Sequence, residues 1–172
     1  MSDQLVGFIR NMERRLAHLE RLELHNHRIA FLAYNSAYDT DATGAGTTAT
    51  ADFDTEVYDL GGNFAADTFT ATVPGKHHFS STVRVDDLDA KMTRGYIELV
   101  TSNRTYRGTY CSPAACQSVG HSFTFQVDAD ADMDAADTAI IQVMIDGGDA
   151  DSADIVGDNT SMFTYFSGFL IT

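Results

Sequence analysis

The sequence predicts an all-β sandwich or jelly roll carried behind a short N-terminal helix, and three patterns predict it. From Ile29 onward apolar residues recur at every second position, the period of a strand with one buried face. Turn signals such as Gly61-Gly62-Asn63 and Gly147-Gly148 break this alternation every eight to sixteen residues, which spaces about ten short strands. The chain also closes on an unbroken aromatic and aliphatic run, Phe163 to Thr172, that needs cover on both faces. Such a strand belongs in the middle of a sheet or at an oligomer axis. Gly168 within it marks a place of close approach by another backbone.

The helix comes first. Leu5, Ile9, Met12, Leu16 and Leu19 recur at spacings of four, three, four and three, the a/d seam of a coiled coil, flanked by Arg10, Glu13, Arg14, Arg15, Glu20 and Arg21. The pattern loses frame at Leu22 and Leu24, so the helix should end near residue 25. At ~1.5 Å per residue it reaches about 35 Å. A coil this short is marginal alone, and a trimeric head fused to its C-terminal end would supply the local concentration that closes it. Two other readings stand beside the coil: an amphipathic helix packed on its own subunit, and a membrane-surface helix, which the mixed signs of its polar face disfavour. Residues 1–28 therefore form a coiled-coil or anchoring segment, and 29–172 the head.

Within the head, Ile29, Phe31 and Ala33 open an alternating strand, and Asn35 to Asp52 read as a loop of small and polar residues. Phe53 to Tyr58 and Thr68 to Val73 read as strands on either side of the Gly61-Gly62-Asn63 turn. Phe79, Ser81, Val83 and Val85 alternate with His78, Ser80, Thr82 and Arg84, the mark of a sheet with one wet face. Ile97 and Leu99 flank Glu98, Tyr106 and Tyr110 follow, and Phe123, Phe125 and Val127 form another alternating set. Ile141, Val143 and Ile145 lead to the acidic turn and the terminal strand.

The head resembles the globular C1q domain of the C1q and tumour-necrosis-factor superfamily. That family writes F-T-A-x-x-x-G-x-Y-x-F-S near its middle and F-S-G-F-L-L at its end. Phe69, Thr70, Ala71, Gly75, Phe79 and Ser80 match the first motif, and Phe166 to Leu170 the second. Ala136-Asp137-Thr138-Ala139-Ile140-Ile141 is similar to the family's G-D-x-V opening of a strand, with Ala136 where Gly is usual. His77 stands where Tyr is usual, and the loops are unusually acidic. The resemblance covers about residues 29 to 172 and implies a C1q/TNF-like ten-stranded jelly roll assembled as a homotrimer, with recognition in place of catalysis. Phe163, Tyr165, Phe166, Gly168 and Phe169 are the expected trimer core. The collagen stalk common in the family is absent, and the coil takes its place.

At 172 residues the chain suits one domain with an appendage. Asp outnumbers Glu 20 to 5, the lysines are Lys76 and Lys91, and the formal net charge is −14. Residues 1–28 carry five Arg against four acids, so the head holds the whole excess. Such a surface repels itself in dilute buffer and is screened in concentrated salt, where the Debye length falls to ~3 Å at 1 M. The composition fits a halophile, with an ordinary acidic, soluble protein as the alternative. Outside the N-terminal helix it leaves nucleic acid without a basic patch to bind. No signal peptide is visible, and no apolar run approaches the ~20 residues of a spanning helix.

Cys111 and Cys116, separated by Ser112-Pro113-Ala114-Ala115, suit a disulfide clip across a loop tip, with two free or buried thiols as the alternative. Asp128, Asp130, Asp132 and Asp134 form the densest carboxylate run and could gather calcium, although Met133 and Ala139 replace the glycine and glutamate of an EF-hand. Asp146, Asp149, Asp151 and Asp154 make a second acidic loop. In a chain this rich in Asp, both runs also arise from surface composition alone. His25-Asn26-His27 reads as a polar joint, His77 and His78 point to opposite faces of one strand, and His121 has no acid partner by spacing. Nucleophile elbows, phosphate loops and H-E-x-x-H are absent from the sequence, so no enzyme is expected.

Together these readings describe a virion structural protein of a halophilic, haloarchaeal virus: a homotrimeric turret, decoration or fibre-tip knob on the virion surface. Its helix would contact other virion proteins, and its loops a host glycan or protein. The alternative is a cellular halophile's own C1q-like adhesin or carbohydrate-binding module.

Overall fold

A computed structural model describes residues 3–26, 29–112 and 121–171. Among them one helix, α1 (Asp3–Asn26), precedes thirteen strands. These are β1 (Ala30–Tyr34), β2 (Asp39–Thr43), β3 (Thr48–Thr50), β4 (Thr55–Leu60), β5 (Phe64–Ala65), β6 (Thr68–Thr70) and β7 (Gly75–Asp86), followed by β8 (Arg94–Thr101), β9 (Thr105–Cys111), β10 (Phe123–Met133), β11 (Thr138–Asp146), β12 (Ala153–Ile155) and β13 (Tyr165–Leu170).

The strands make two antiparallel sheets. The larger runs β2-β12-β7-β13-β1-β4, and the smaller β5-β6-β11-β8-β9 with β3 against β11. Residues 77–82 of β7 pair with β13 and also with β10, so β10 occupies the opposite flank of that strand. The terminal strand β13 lies between β1 and β7, in the middle of the larger sheet, as its two-sided apolar pattern requires. Four of the strands, β2, β3, β5 and β12, fall where a loop, a turn or an acidic connection is expected. They are two to five residues long and rich in Asp, Thr and Ala. Their pairing is fixed by neighbours such as β11 and β7 and not by any alternation of their own.

Between the sheets lies a cluster of six phenylalanines. Phe31 stacks on Phe64 at 4.8 Å and on Phe69 at 5.3 Å, and meets Phe166 edge-on at 4.9 Å. Phe79 contacts both Phe69 and Phe166, and Phe53 leans on Phe64 and Phe166. All six are buried. Offset and edge-on pairs of this kind add about 0.5–1.5 kcal/mol each beyond the burial of their area. Gly168 makes room for them: a Cβ there would lie 2.7 Å from Phe79 Cδ1 and 2.8 Å from Phe31 Cε1. The close approach expected at this glycine is therefore made chiefly by two aromatic rings of the same subunit.

Along α1 the seam residues are exposed in the isolated chain, Leu5 at 47 %, Ile9 at 44 %, Met12 at 52 %, Leu16 at 59 % and Leu19 at 58 %. The helix thus does not bury this stripe against its own head. The joint at residues 27–28 lies outside the described residues. No helix among the described residues is long and apolar enough to cross a membrane.

Replacing Gly168 with Ala should displace a ring in a close-packed core and lower stability by about 1–3 kcal/mol. Urea unfolding of the variant reads this as a lower midpoint at unchanged slope; an unaltered midpoint would mean that the rings do not depend on the gap.

Candidate functional site

The registers of β4, β1, β13, β7 and β10 set side chains in rows across the outer face of the larger sheet. One row is Leu60, Ala30, Phe169, His78 and Asp130. The next is Tyr58, Leu32, Ser167, Ser80 and Asp128. A third joins Tyr34, Tyr165, Thr82 and Gln126. The face therefore passes from apolar at β4 to acidic at β10. Leu60, Tyr58 and Phe169 are each more than two-fifths exposed. Ser167 and Ser80 form a flat floor between the two halves, where Ser167 Oγ donates to the Ser80 carbonyl at 3.2 Å. At the boundary His78 leans on the Phe169 ring at 5.1 Å while its Nδ1 lies 2.8 Å from Asp130 Oδ1.

The expected trimer residues divide across this sheet. Phe169 points outward, Tyr165 lies half-buried on the same face, and Phe163 is exposed beneath the Arg84 guanidinium at 4.8 Å. Phe166 and Gly168 point inward, so these two are corrected from trimer core to subunit core. Strand alternation is the reason: an odd step along β13 separates Phe166 from Phe169. Leu32, Tyr58 and Leu60 belong to the outer face and were not picked out in the sequence. Their signal was the apolar residues left over at alternate positions, Leu32 on β1 and Tyr58 and Leu60 on β4.

The acidic residues are dispersed. Asp128, Asp130 and Asp132 stand on the exposed side of β10, an extended strand. Alternate residues of a strand are ~6.8 Å apart, which sets Asp128 and Asp132 ~14 Å apart, too far for both to come within ~2.6 Å of one calcium. Asp128 accepts from Gln126, Asp130 faces His78, and the Asp134 backbone N–H donates to Asp137. In the second acidic run Asp146 pairs with Arg94, Asp149 with Lys91, and Asp154 accepts from the Asp41 backbone N–H. Among the described residues no group of three or more His, Cys, Asp or Glu is placed to hold a metal ion. The strand thus does not bring Asp128, Asp130 and Asp132 together around a single point. Cys111 ends β9, half-buried against the core, while Cys116 lies outside the described residues, as does His27.

Asp52 and His77 are shifted by their surroundings in opposite senses. Burial, a hydrogen bond shared with Asp67 and the charges of Asp67, Asp39 and Asp54 push the Asp52 carboxyl up to about 6. His77 is fully buried within the aromatic cluster, 5.3 Å from the Phe69 ring. Its Nδ1 lies 3.3 Å from the Gly75 carbonyl and its Nε2 has no partner. Burial holds it below 6.5, against a smaller upward effect of the Gly75 carbonyl. His121 instead holds the Leu88 carbonyl through Nδ1 at 2.9 Å.

No protein-family model and no curated protein matches the sequence. Solved structures do match its shape. The globular domain of zebrafish complement 1qA protein aligns over 84 % of this chain and 98 % of its own, with a TM-score of 0.56 at 15 % identity. Murine APRIL, at pH 8.5, aligns over 84 % and 99 %, with a TM-score of 0.57 at 9 % identity. The fold is C1q/TNF-like. Within that fold, the two motifs quoted from the sequence fall on β6 to β7 and on β13, the strands that supply three of the six core phenylalanines, Phe69, Phe79 and Phe166.

His77 yields a pH dependence of definite sign. Well above pH 6.5 it is neutral in both states and adds no pH dependence. Below 6.5 the unfolded chain takes up a proton that the folded core refuses, so stability falls by up to about 1.4 kcal/mol per pH unit until the folded value is reached. Asp52, with its folded value raised, acts in the opposite sense as pH falls through 6. Comparing denaturation midpoints of the wild type and His77→Phe at pH 7 and pH 5 cancels the Asp52 effect. The variant should lose less stability on acidification, and parallel losses would show that His77 is not held neutral.

Proposed function

We propose that this chain is a homotrimeric recognition knob, displayed on the virion of a halophilic virus, in which the outer face of the larger sheet packs against a neighbouring subunit. The observation that carries the assembly is the exposed apolar half of that face, Leu60, Tyr58 and Phe169, together with a second exposed apolar seam on α1. Both are surfaces without a partner among the described residues of one chain, and a three-fold assembly would cover both. The likeness in fold to C1q and APRIL supports binding over catalysis.

The virion setting is supported by charge and architecture. Carboxylates stand along β10 in a row of like charge, an arrangement that concentrated salt screens. The helix offers a means of attachment to other virion proteins, and the head is left to meet a host surface. A halophile's own surface adhesin would use the same features. Immunogold microscopy on a high-salt lysate and cells of the source culture separates the two. Gold on particles is the expected result, and gold on cell envelopes beside bare particles would overturn the virion setting.

Replacing Phe169 with Asp places a charge among apolar outer-face residues without touching the inner cluster. The variant should keep its thermal transition and lose the trimer in size-exclusion chromatography with light scattering. Leu16→Asp should weaken attachment and leave the head trimeric. An intact Phe169→Asp trimer would mean that this face is not the subunit contact.

A further inference from the structure

The outer face of the smaller sheet carries a second patch, away from the self-association face. On β8 and β9, Tyr96 stands opposite Tyr110 and Glu98 opposite Arg107. Arg107 and Tyr110 are three residues apart, a spacing that on a regular strand sends side chains to opposite faces. The register shift between the two pairs gives β9 one extra residue and returns both side chains to the outside. This bulge is pinned from behind. Gly108 lies so near β10 that a Cβ there would overlap the Gln126 carbonyl oxygen. Thr109 Oγ1 both donates to that oxygen and accepts from the Gln126 backbone N–H, each at 3.1 Å.

The result is an ordered aromatic and charged platform. The Tyr96 and Tyr110 rings are inclined by 8° with centroids 6.2 Å apart. Arg107 Cζ lies 3.9 Å over the Tyr96 ring, and its Nε and Nη2 donate to Glu98 Oε1 at 2.9 and 2.6 Å. Tyr110 remains 58 % exposed. Gln142 neighbours Glu98 on the other side, partly exposed.

We propose that this patch binds a neutral hexose unit of a glycan. Tyr110 offers an uncovered ring face of about the size of a pyranose, onto which the sugar's C–H face stacks. Each sugar hydroxyl needs both a donor and an acceptor. The Arg107 guanidinium and Glu98 carboxylate supply one of each at fixed separation, held by their own bond and by the Tyr96 ring. Because Glu98 already neutralises Arg107, and the head is strongly acidic, an anionic saccharide gains little here. A protein partner would bury ~800 Å² per side around an apolar centre, whereas the uncovered apolar element is a single ring. The proposal rests on the reading of the head as a recognition module.

Saturation-transfer NMR of the full chain in high salt, with maltotriose, mannotriose and cellotriose as probes, tests it. Saturation should reach the ring protons of at least one probe. Tyr110→Ala and Arg107→Gln should each weaken that binding about tenfold, while Tyr38→Ser, at an exposed tyrosine elsewhere, leaves it unchanged. No transfer from the wild type, or equal binding by Tyr110→Ala, overturns the site. Light scattering on the same sample keeps the two failures apart: a trimer without transfer overturns the saccharide site alone, and a monomer removes the trimeric knob beneath it.

Discussion

Gly168 leaves a gap on the inner side of the central strand, and the Phe31 and Phe79 rings press into it. Around that gap six phenylalanines join β1, β6, β7 and β13 with the segments carrying Phe53 and Phe64. Because strand alternation is strict, fixing Phe166 and Gly168 inward also fixes Tyr165, Ser167 and Phe169 outward. The surface offered for association is thus a consequence of the core. A one-residue slip of β13 would bury Phe169 and expose Phe166, losing both at once.

His77 is the polar exception inside this cluster. It occupies an inward position where its resemblance to other C1q-like heads leads one to expect tyrosine, and its Nε2 is buried without a partner. An unpartnered buried nitrogen costs stability of the order of 1–3 kcal/mol. The aromatic packing evidently tolerates it, with the ring lying nearly parallel to Phe79 at 6.1 Å. The charged groups are arranged differently, at the surface and in local pairs: Glu98 with Arg107 and Asp146 with Arg94. Such pairs contribute little singly. Their effect is to divide the acidic excess among separate neighbours, so that the carboxylates do not converge on one point.

Much of the fold was legible in the sequence because period-two alternation carries it directly. β1, β7, β8, β10, β11 and β13 each bury alternate residues, and the motifs around Phe69 and Phe166 placed their strands correctly. The short strands β2, β3, β5 and β12 were not legible, since their pairing comes from neighbours brought near by the tertiary fold. At the candidate sites the sequence identified an aromatic C-terminal strand but could not assign its residues to inner and outer faces, because both faces are apolar. The Tyr96–Tyr110 platform was hidden for a related reason: the β9 bulge that turns Arg107 and Tyr110 to one side breaks the period by which a face is read. Asp128 to Asp134 looked like a ligand run because spacing along the chain does not distinguish a curled loop from an extended strand.

The dependence of the outer face on the core converges on the state of assembly. The mass of the full chain in solution, measured by light scattering in concentrated salt, tests it most directly. A single species of three times the 18.7 kDa chain is the expected result. A monodisperse 18.7 kDa monomer over the same concentrations would contradict it, leaving Phe169, Tyr58 and Leu60 open to solvent and the shared surface without a partner.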